Sequence, residues 1–353
     1  MGNFRWRFET ALNYLANNLL ALGRLGDVEV LVTDWGSDEP LHTALNLSPA
    51  ARRIVRYLIV PPAIAREEQK DSPFPIVIAQ NAAVRRCRAE FIAQTDSDIM
   101  FTPEFLMAFL KALDARQANG VALDRSLVFA KRRHVPWSYA AENPSIAEMH
   151  WYLRRFGRFL PVERFLGFTF AGTGLMLMHR DLWNECSGYD ERLIYWGWME
   201  IDLGLRVRRK YPLFDLRQIG LTAYHLEHYP SRRASNNPRK LNPTDWNNAF
   251  QPNAANWGMI DRPLEIYVYP DQSDVLDVET YPPARLNRRL LKVILRTFGK
   301  WLWFPFQQLG YIPFVIKRTF HHVGVISQRV KGQPVTKWPG VIKSWWVERR
   351  QRR

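Results

Sequence analysis

Apolar residues recur at three- and four-residue spacing between positions 8 and 25. Ala11, Leu12, Leu15, Leu19 and Leu22 form one stripe, halted by Gly23 and Gly26, and this predicts an amphipathic helix. Val28 to Thr33 is a run of strand formers ending in Asp34-Trp35-Gly36-Ser37-Asp38, and Ile54 to Val60 predicts another strand, closed by Pro61-Pro62. A helix is expected over 76–90, with Arg85, Arg86 and Arg88 near its C-terminal end, where cations suit the helix dipole. It leads into Phe91-Ile92-Ala93-Gln94, which stops at Thr95-Asp96-Ser97-Asp98 before the apolar Ile99-Met100-Phe101, and a helix over 104–117 follows. This alternation predicts an α/β fold with a doubly wound, mostly parallel sheet flanked by helices.

Two carboxylates one residue apart at a strand exit are a place for chemistry. Ligands of open α/β sheets gather outside the carboxyl ends of the strands. Two acids there repel unless a hard divalent cation lies between them. The plainer reading is that Asp96 and Asp98 form a turn and cap the helix beginning near Pro103-Glu104, and these residues alone do not separate the two. Asp34 ends a second strand in the same way.

Residues 124–165 hold a short strand at Leu127-Val128-Phe129-Ala130, then Lys131-Arg132-Arg133-His134 and an aromatic-dense stretch with Trp151, Tyr152, Phe156 and Phe159. It reads as an excursion between two halves of the fold, either a lid on the acceptor side or a cover for the sheet. Gly172 and Gly174 precede a buried strand and permit close backbone approach to a ligand. Glu200 and Asp202 lie at the start of a helix after Trp196-Gly197-Trp198, where the dipole favours ionised carboxylates. His225 and His228 fall at the exit of a strand-like run over 216–224, and beside an acid pair they become candidate metal ligands.

Charge divides the chain in two. The formal net charge is +15, and residues 284–353 carry 16 Lys and Arg against the single acid Glu348, so the body over 1–283 is balanced. The tail therefore needs an anionic partner that the body does not. Cations at 285, 288, 289, 292, 296 and 300 alternate with apolar residues, as in a basic amphipathic helix lying on an anionic membrane surface. Residues 301–316 are apolar but interrupted by Pro305, Gln307, Gln308 and Pro313, and a spanning helix needs roughly 20 residues, so an interfacial segment is expected. Trp338, Trp345 and Trp346 fit an interfacial aromatic belt. Packing of the tail on the body is the bland alternative, and no nucleic-acid motif accompanies the cations. Cys87 and Cys186 are too few for a disulfide framework or a zinc cluster, and no secretory signal pattern opens the chain, so a cytoplasmic location at the inner face of the membrane is expected.

Together these blocks resemble a family 2-type glycosyltransferase of the GT-A fold over about residues 3 to 260. The resemblance rests on Asp34-Trp35-Gly36-Ser37, on Asn81-Ala82-Ala83-Val84-Arg85-Arg86 leading into Glu90-Phe91-Ile92, and on Asp96-Ser97-Asp98 as a DXD motif. It continues through Gly188-Tyr189-Asp190-Glu191, Trp196-Gly197-Trp198 to Arg206, and Tyr224-His225-Leu226-Glu227-His228. The resemblance implies a nucleotide-sugar donor bound by Asp34, Asp96, Gly172, Gly174 and Trp198. It also implies a divalent Mg or Mn ion held by Asp96, Asp98 and His225 or His228. Glu200 would be the general base for inverting transfer to a glycan or lipid-linked acceptor in polysaccharide or glycolipid synthesis, with Asp202 orienting acceptor or base. Met199-Glu200 stands where the family carries an acidic doublet, which leaves the base between Glu200 and Asp202. The family's first strand is missing ahead of Met1-Gly2-Asn3-Phe4, so an upstream extension is expected to raise stability and activity. Asp98→Ala is expected to abolish metal-dependent donor binding without unfolding. The competing readings are a catalytically silent GT-A-like protein that binds a glycan or scaffolds a membrane assembly, and a nucleotidyltransferase.

Overall fold

The computed structural model describes residues 3–163, 170–228, 252–270 and 276–281, together with Asn242, Leu291 and Leu295. The basic helix, the interfacial segment and the tryptophan belt read in the tail lie outside the described residues, Leu291 and Leu295 apart.

Helix α1 (Phe4–Ala21) opens the chain and is followed by β1 (Val30–Trp35), the short α2 (Leu41–Ala44) and α3 (Pro49–Ile54), and β2 (Val55–Val60). Next come α4 (Pro62–Gln69), α5 (Ile76–Arg86), β3 (Phe91–Gln94), β4 (Ile99–Met100) and α6 (Pro103–Asp114). A small hairpin, β5 (Gln117–Ala118) and β6 (Val121–Ala122), precedes β7 (Leu127–Val135), α7 (Trp137–Ala140) and α8 (Ile146–Phe156). The described chain continues through β8 (Thr173–His179), α9 (Arg180–Glu185), α10 (Met199–Val207), β9 (Leu213–Asp215), β10 (Ala223–Leu226) and β11 (Glu265–Val268). Local signals set several starts. Thr102 caps α6 by accepting from Phe105 N, with Pro103 in the first turn, and Ser145 forms a reciprocal capping box with Glu148 on α8.

Period-two alternation splits the strands between two cores, as strands covered on both faces require. Val128, Ala130, Leu175 and Leu177 face one layer with Val55 and Tyr57, packed under α1, α3 and α6. Leu127, Phe129, Met176 and Met178 face the other with Leu58 and Val60, packed under α5, α9 and α10. A third cluster gathers Tyr139, Met149, Tyr152 and Leu153 with Tyr14 and Leu226.

The α/β class stands, but the pairing is more mixed than the helix–strand alternation predicts. Among the described strands, β1–β2, β7–β10 and β7–β9 are parallel. The pairs β2–β11, β3–β8, β7–β8 and β4–β10 are antiparallel. Sequential strands are often not sheet neighbours: β8 enters between β3 and β7 only after the 136–172 excursion and runs opposite to both. Both β1 and β3 have a described partner on one side only.

Two further expectations change. β7 does not stop at Ala130 but runs to Val135, so Lys131-Arg132-Arg133-His134 belongs to the sheet and not to a lid. The run over 216–224 is a 3-10 turn at Leu216–Ile219, closed by Gly220 at φ 79°, before the strand proper at Ala223. Of the aromatic stretch, Tyr152 is fully buried as a cover for the sheet, whereas Phe159 is exposed.

Candidate active site

Strand pairing brings the Asp96–Asp98 loop to the histidines. β10 lies between β7 and β4, with His225 paired to His134 on one side and to Ile99 on the other. The ladder extends one step, Leu226 N donating to Asp98 O at 2.9 Å. Asp98 Oδ1 then lies 3.4 Å from His225 Nε2, and Asp98 Oδ2 lies 3.8 Å from His228 Nε2. One ligand atom from each of Asp98, His225 and His228 falls within 4.8 Å of the others.

These residues suit a divalent ion. Burial first, then Arg132, His134, His228 and Arg7, holds His225 well below the usual imidazole range, so its ring is neutral, as a metal ligand must be. Its Nδ1 is buried without a hydrogen-bond partner among the described residues. Burial and the neighbouring Asp96 push Asp98 up to about 7, against the pull of Arg7 and Arg132. One carboxylate with two imidazoles is a donor set for transition metals such as Mn.

Asp96 is placed differently from the expectation that made it a ligand beside Asp98. Its Oδ2 accepts from Arg132 Nη1 at 2.8 Å, and it is not among the three clustered ligands. Arg7, from the first turns of α1, donates to Asp98 Oδ2, with both side chains almost fully buried. Arg132 also lies 3.9 Å from Glu163. Glu163 pairs with His134, whose ring packs edge-on against His225 at 5.4 Å between centroids. Sequence reasoning assigned no role to Arg7, Lys131, Arg132, His134 or Glu163. The signal for three of them was four consecutive basic residues after an apolar strand, which read as part of the excursion because the acids they meet are distant in sequence.

Glu200 and Asp202 separate clearly. Glu200 turns to the start of β8, its Oε2 accepting from Gly172 N at 2.8 Å and its Oε1 from Thr173 Oγ1 at 2.7 Å. Burial first raises its pKa, with Arg132 opposing and Asp96 adding to the rise. Asp202 points the other way, into Arg206 Nε at 2.8 Å. Gly172, at φ 64°, supplies a backbone donor. Gly174 lies inside β8, where a Cβ would meet Ala223 Cβ at 2.9 Å, so close sheet packing requires it there, not an open approach to a ligand. Trp198 precedes α10 in a left-handed conformation at φ 71°.

Asp34 is the penultimate residue of β1, 2% exposed; its Oδ2 accepts from Leu41 N at 2.8 Å, and its Oδ1 has no hydrogen-bond partner among the described residues. Asn81 of α5 fixes Gly188-Tyr189-Asp190-Glu191. Its side chain accepts from Tyr189 N at 2.8 Å and donates to Tyr189 O at 2.9 Å.

The family described as Glycosyl transferase family 2 matches residues 70–186, from the approach to α5 to the end of α9. The hyaluronan synthase of Pasteurella multocida is 26% identical over 221 residues, covering 56% of this chain and 21% of that protein. The chain thus spans about a fifth of that relative's length. The matched span carries Asp96, Asp98 and Arg132 on a mixed α/β frame consistent with a GT-A fold, and over that span the chain is similar to glycosyl transferase family 2.

Proposed function

We infer that the protein transfers a sugar from a nucleotide diphosphate sugar to an acceptor hydroxyl, with a divalent metal ion and with inversion at the anomeric carbon. The observation that carries this reading is the Asp98, His225 and His228 cluster, where β4 begins beside the end of its antiparallel neighbour β10, with Asp98 inside the segment that matches the family. Those three residues would hold the ion, which when bound supplies charge neutralisation for the departing diphosphate. Asp34 offers its second carboxylate oxygen to an N–H of the nucleobase. Glu200 is the general base: burial raises its proton affinity, and the hydrogen bonds from Gly172 and Thr173 fix its orientation. Asp202, engaged by Arg206, is a positioning residue for α10.

The likeness to a hyaluronan synthase supports a glycan acceptor. Among the described residues no helix is long and apolar enough to cross a membrane. The basic, aromatic tail supports attachment to an anionic membrane surface from the cytoplasmic side. A second reading, a glycan-binding protein without turnover, draws on the guanidinium groups seated on both Asp96 and Asp98. A thermal-shift panel of UDP-, GDP- and dTDP-sugars with and without Mn²⁺ tests the donor. A shift that needs both sugar nucleotide and metal supports transfer, and no shift with any of them contradicts it.

A further inference from the structure

Each acid of the Asp96-Ser97-Asp98 motif is matched by one arginine from a distant element. Arg7 of α1 serves Asp98, and Arg132 of β7 serves Asp96 at 2.8 Å. Only 3% of the Arg7 side chain and 17% of the Arg132 side chain is exposed, so neither pair is a loose surface contact. Arg132 also faces Glu163 at 3.9 Å. A divalent ion on Asp98, His225 and His228 would share Asp98 with the Arg7 guanidinium, placing two cations on one buried carboxylate. That arrangement is unfavourable for a metal alone. A diphosphate arriving with the metal removes the conflict, because its oxygens accept both the ion and the guanidinium forks, for which their geometry is well matched.

We propose that Arg7 and Arg132 are diphosphate-binding residues of the donor site, and that Arg7 makes metal binding conditional on the nucleotide. Without donor the two arginines hold the acids; with donor they turn to the diphosphate and release Asp98 to the ion. Metal and nucleotide then bind with positive coupling, each tightening the other by the same factor. This rests on the nucleotide-sugar reading above.

The test is titration of full-length protein with Mn²⁺ alone, followed by electron paramagnetic resonance of free Mn²⁺, and then with Mn²⁺ plus UDP, GDP or dTDP. Wild-type protein should bind Mn²⁺ at least tenfold more tightly with the preferred diphosphate than without. Arg7→Gln should bind Mn²⁺ alone at least tenfold more tightly than wild type and the diphosphate at least tenfold more weakly, so that the coupling collapses. Arg132→Gln should weaken the diphosphate while tightening Mn²⁺ alone less than Arg7→Gln does, because Arg132 is seated on Asp96 and not on a clustered ligand. A merely structural role for Arg7 would weaken both ligands together, and that result overturns the proposal. If Arg7→Gln does not fold, the wild-type coupling decides, and equal Mn²⁺ affinity with and without diphosphate overturns the proposal while leaving the transferase reading intact. Failure of wild type to bind any of the three diphosphates in the presence of metal overturns both.

Discussion

Asp202 and Arg206 meet one helical turn apart on α10, Oδ2 to Nε at 2.8 Å, and both are almost completely buried. Arg206 also donates to Cys186 O and Gly188 O, each at 2.8 Å, so the pair fastens α10 to the turn after α9. Removing one member of a buried pair leaves an uncompensated charge and costs about 3–5 kcal/mol. Asp202→Ala should therefore lower the denaturant midpoint of unfolding by a corresponding amount. Glu200→Gln should retain near wild-type stability and lose transfer by about a hundredfold or more, as expected for a general base. Comparable stability loss in both variants would erase the distinction between them.

Asp98 carries a structural cost that sequence reasoning did not include. Its partner Arg7 is buried, so Asp98→Ala should not be silent toward folding: a loss of about 3–5 kcal/mol is expected from the stranded guanidinium. Arg7→Ala combined with Asp98→Ala should recover part of that loss. Urea unfolding of the two single variants and the double variant closes the cycle, and additive losses would show that the pair does not interact.

Acidity should act on the site in two opposed ways. Burial, reinforced by Asp96, raises Asp98 from its ordinary range to about 7. An acid raised on folding contributes stability that is fully present below its unfolded value, near 3.9, and is lost as pH rises through about 7. Metal needs the carboxylate form, so Mn²⁺ affinity should climb up to about tenfold per pH unit below about 7 and level off above it. Mn²⁺ titrations from pH 5.5 to 8 read this directly, and a flat profile below pH 7 would contradict it.

Gly204 should resist replacement by a better helix former. A Cβ at this position of α10 would run into the ring of Phe170, which is itself 2% exposed. Alanine gains about 1 kcal/mol of helix propensity over glycine, but overpacking costs about 1–3 kcal/mol. Gly204→Ala should thus be neutral to destabilising in thermal unfolding, and a raised melting temperature would show that Phe170 moves aside easily.

Much of the frame was legible in the chain because strand exits announce themselves. Val30–Trp35 carries Asp34 at its penultimate position and Asp96 follows Phe91–Gln94 by two residues, and the α1 stripe was visible from its leucine spacing, although the helix starts at Phe4, earlier than expected. Less could be read where burial depends on long-range ion pairing. Lys131 and Arg132 break the apolar pattern of β7, yet Lys131 is 2% exposed and donates to Ala171 O, and Arg132 is enclosed by acids from three other segments. Arg7 carries no signal of its own in the sequence, and only the fold puts it on Asp98. The pairing of β4 with β10 was equally hidden, because a two-residue strand has no periodicity, and that pairing joins Asp98 to His225.

The most direct test of the central claim is release of nucleoside diphosphate from UDP-, GDP- and dTDP-sugars, followed with Mn²⁺ and with EDTA. It compares wild type with Glu200→Gln and Asp98→Asn. The account predicts that one donor is turned over by wild type with Mn²⁺ only, and that both substitutions remove at least 99% of that rate, about 2.7 kcal/mol of barrier. Turnover that persists unchanged in EDTA, or in the folded Asp98→Asn protein, would contradict it.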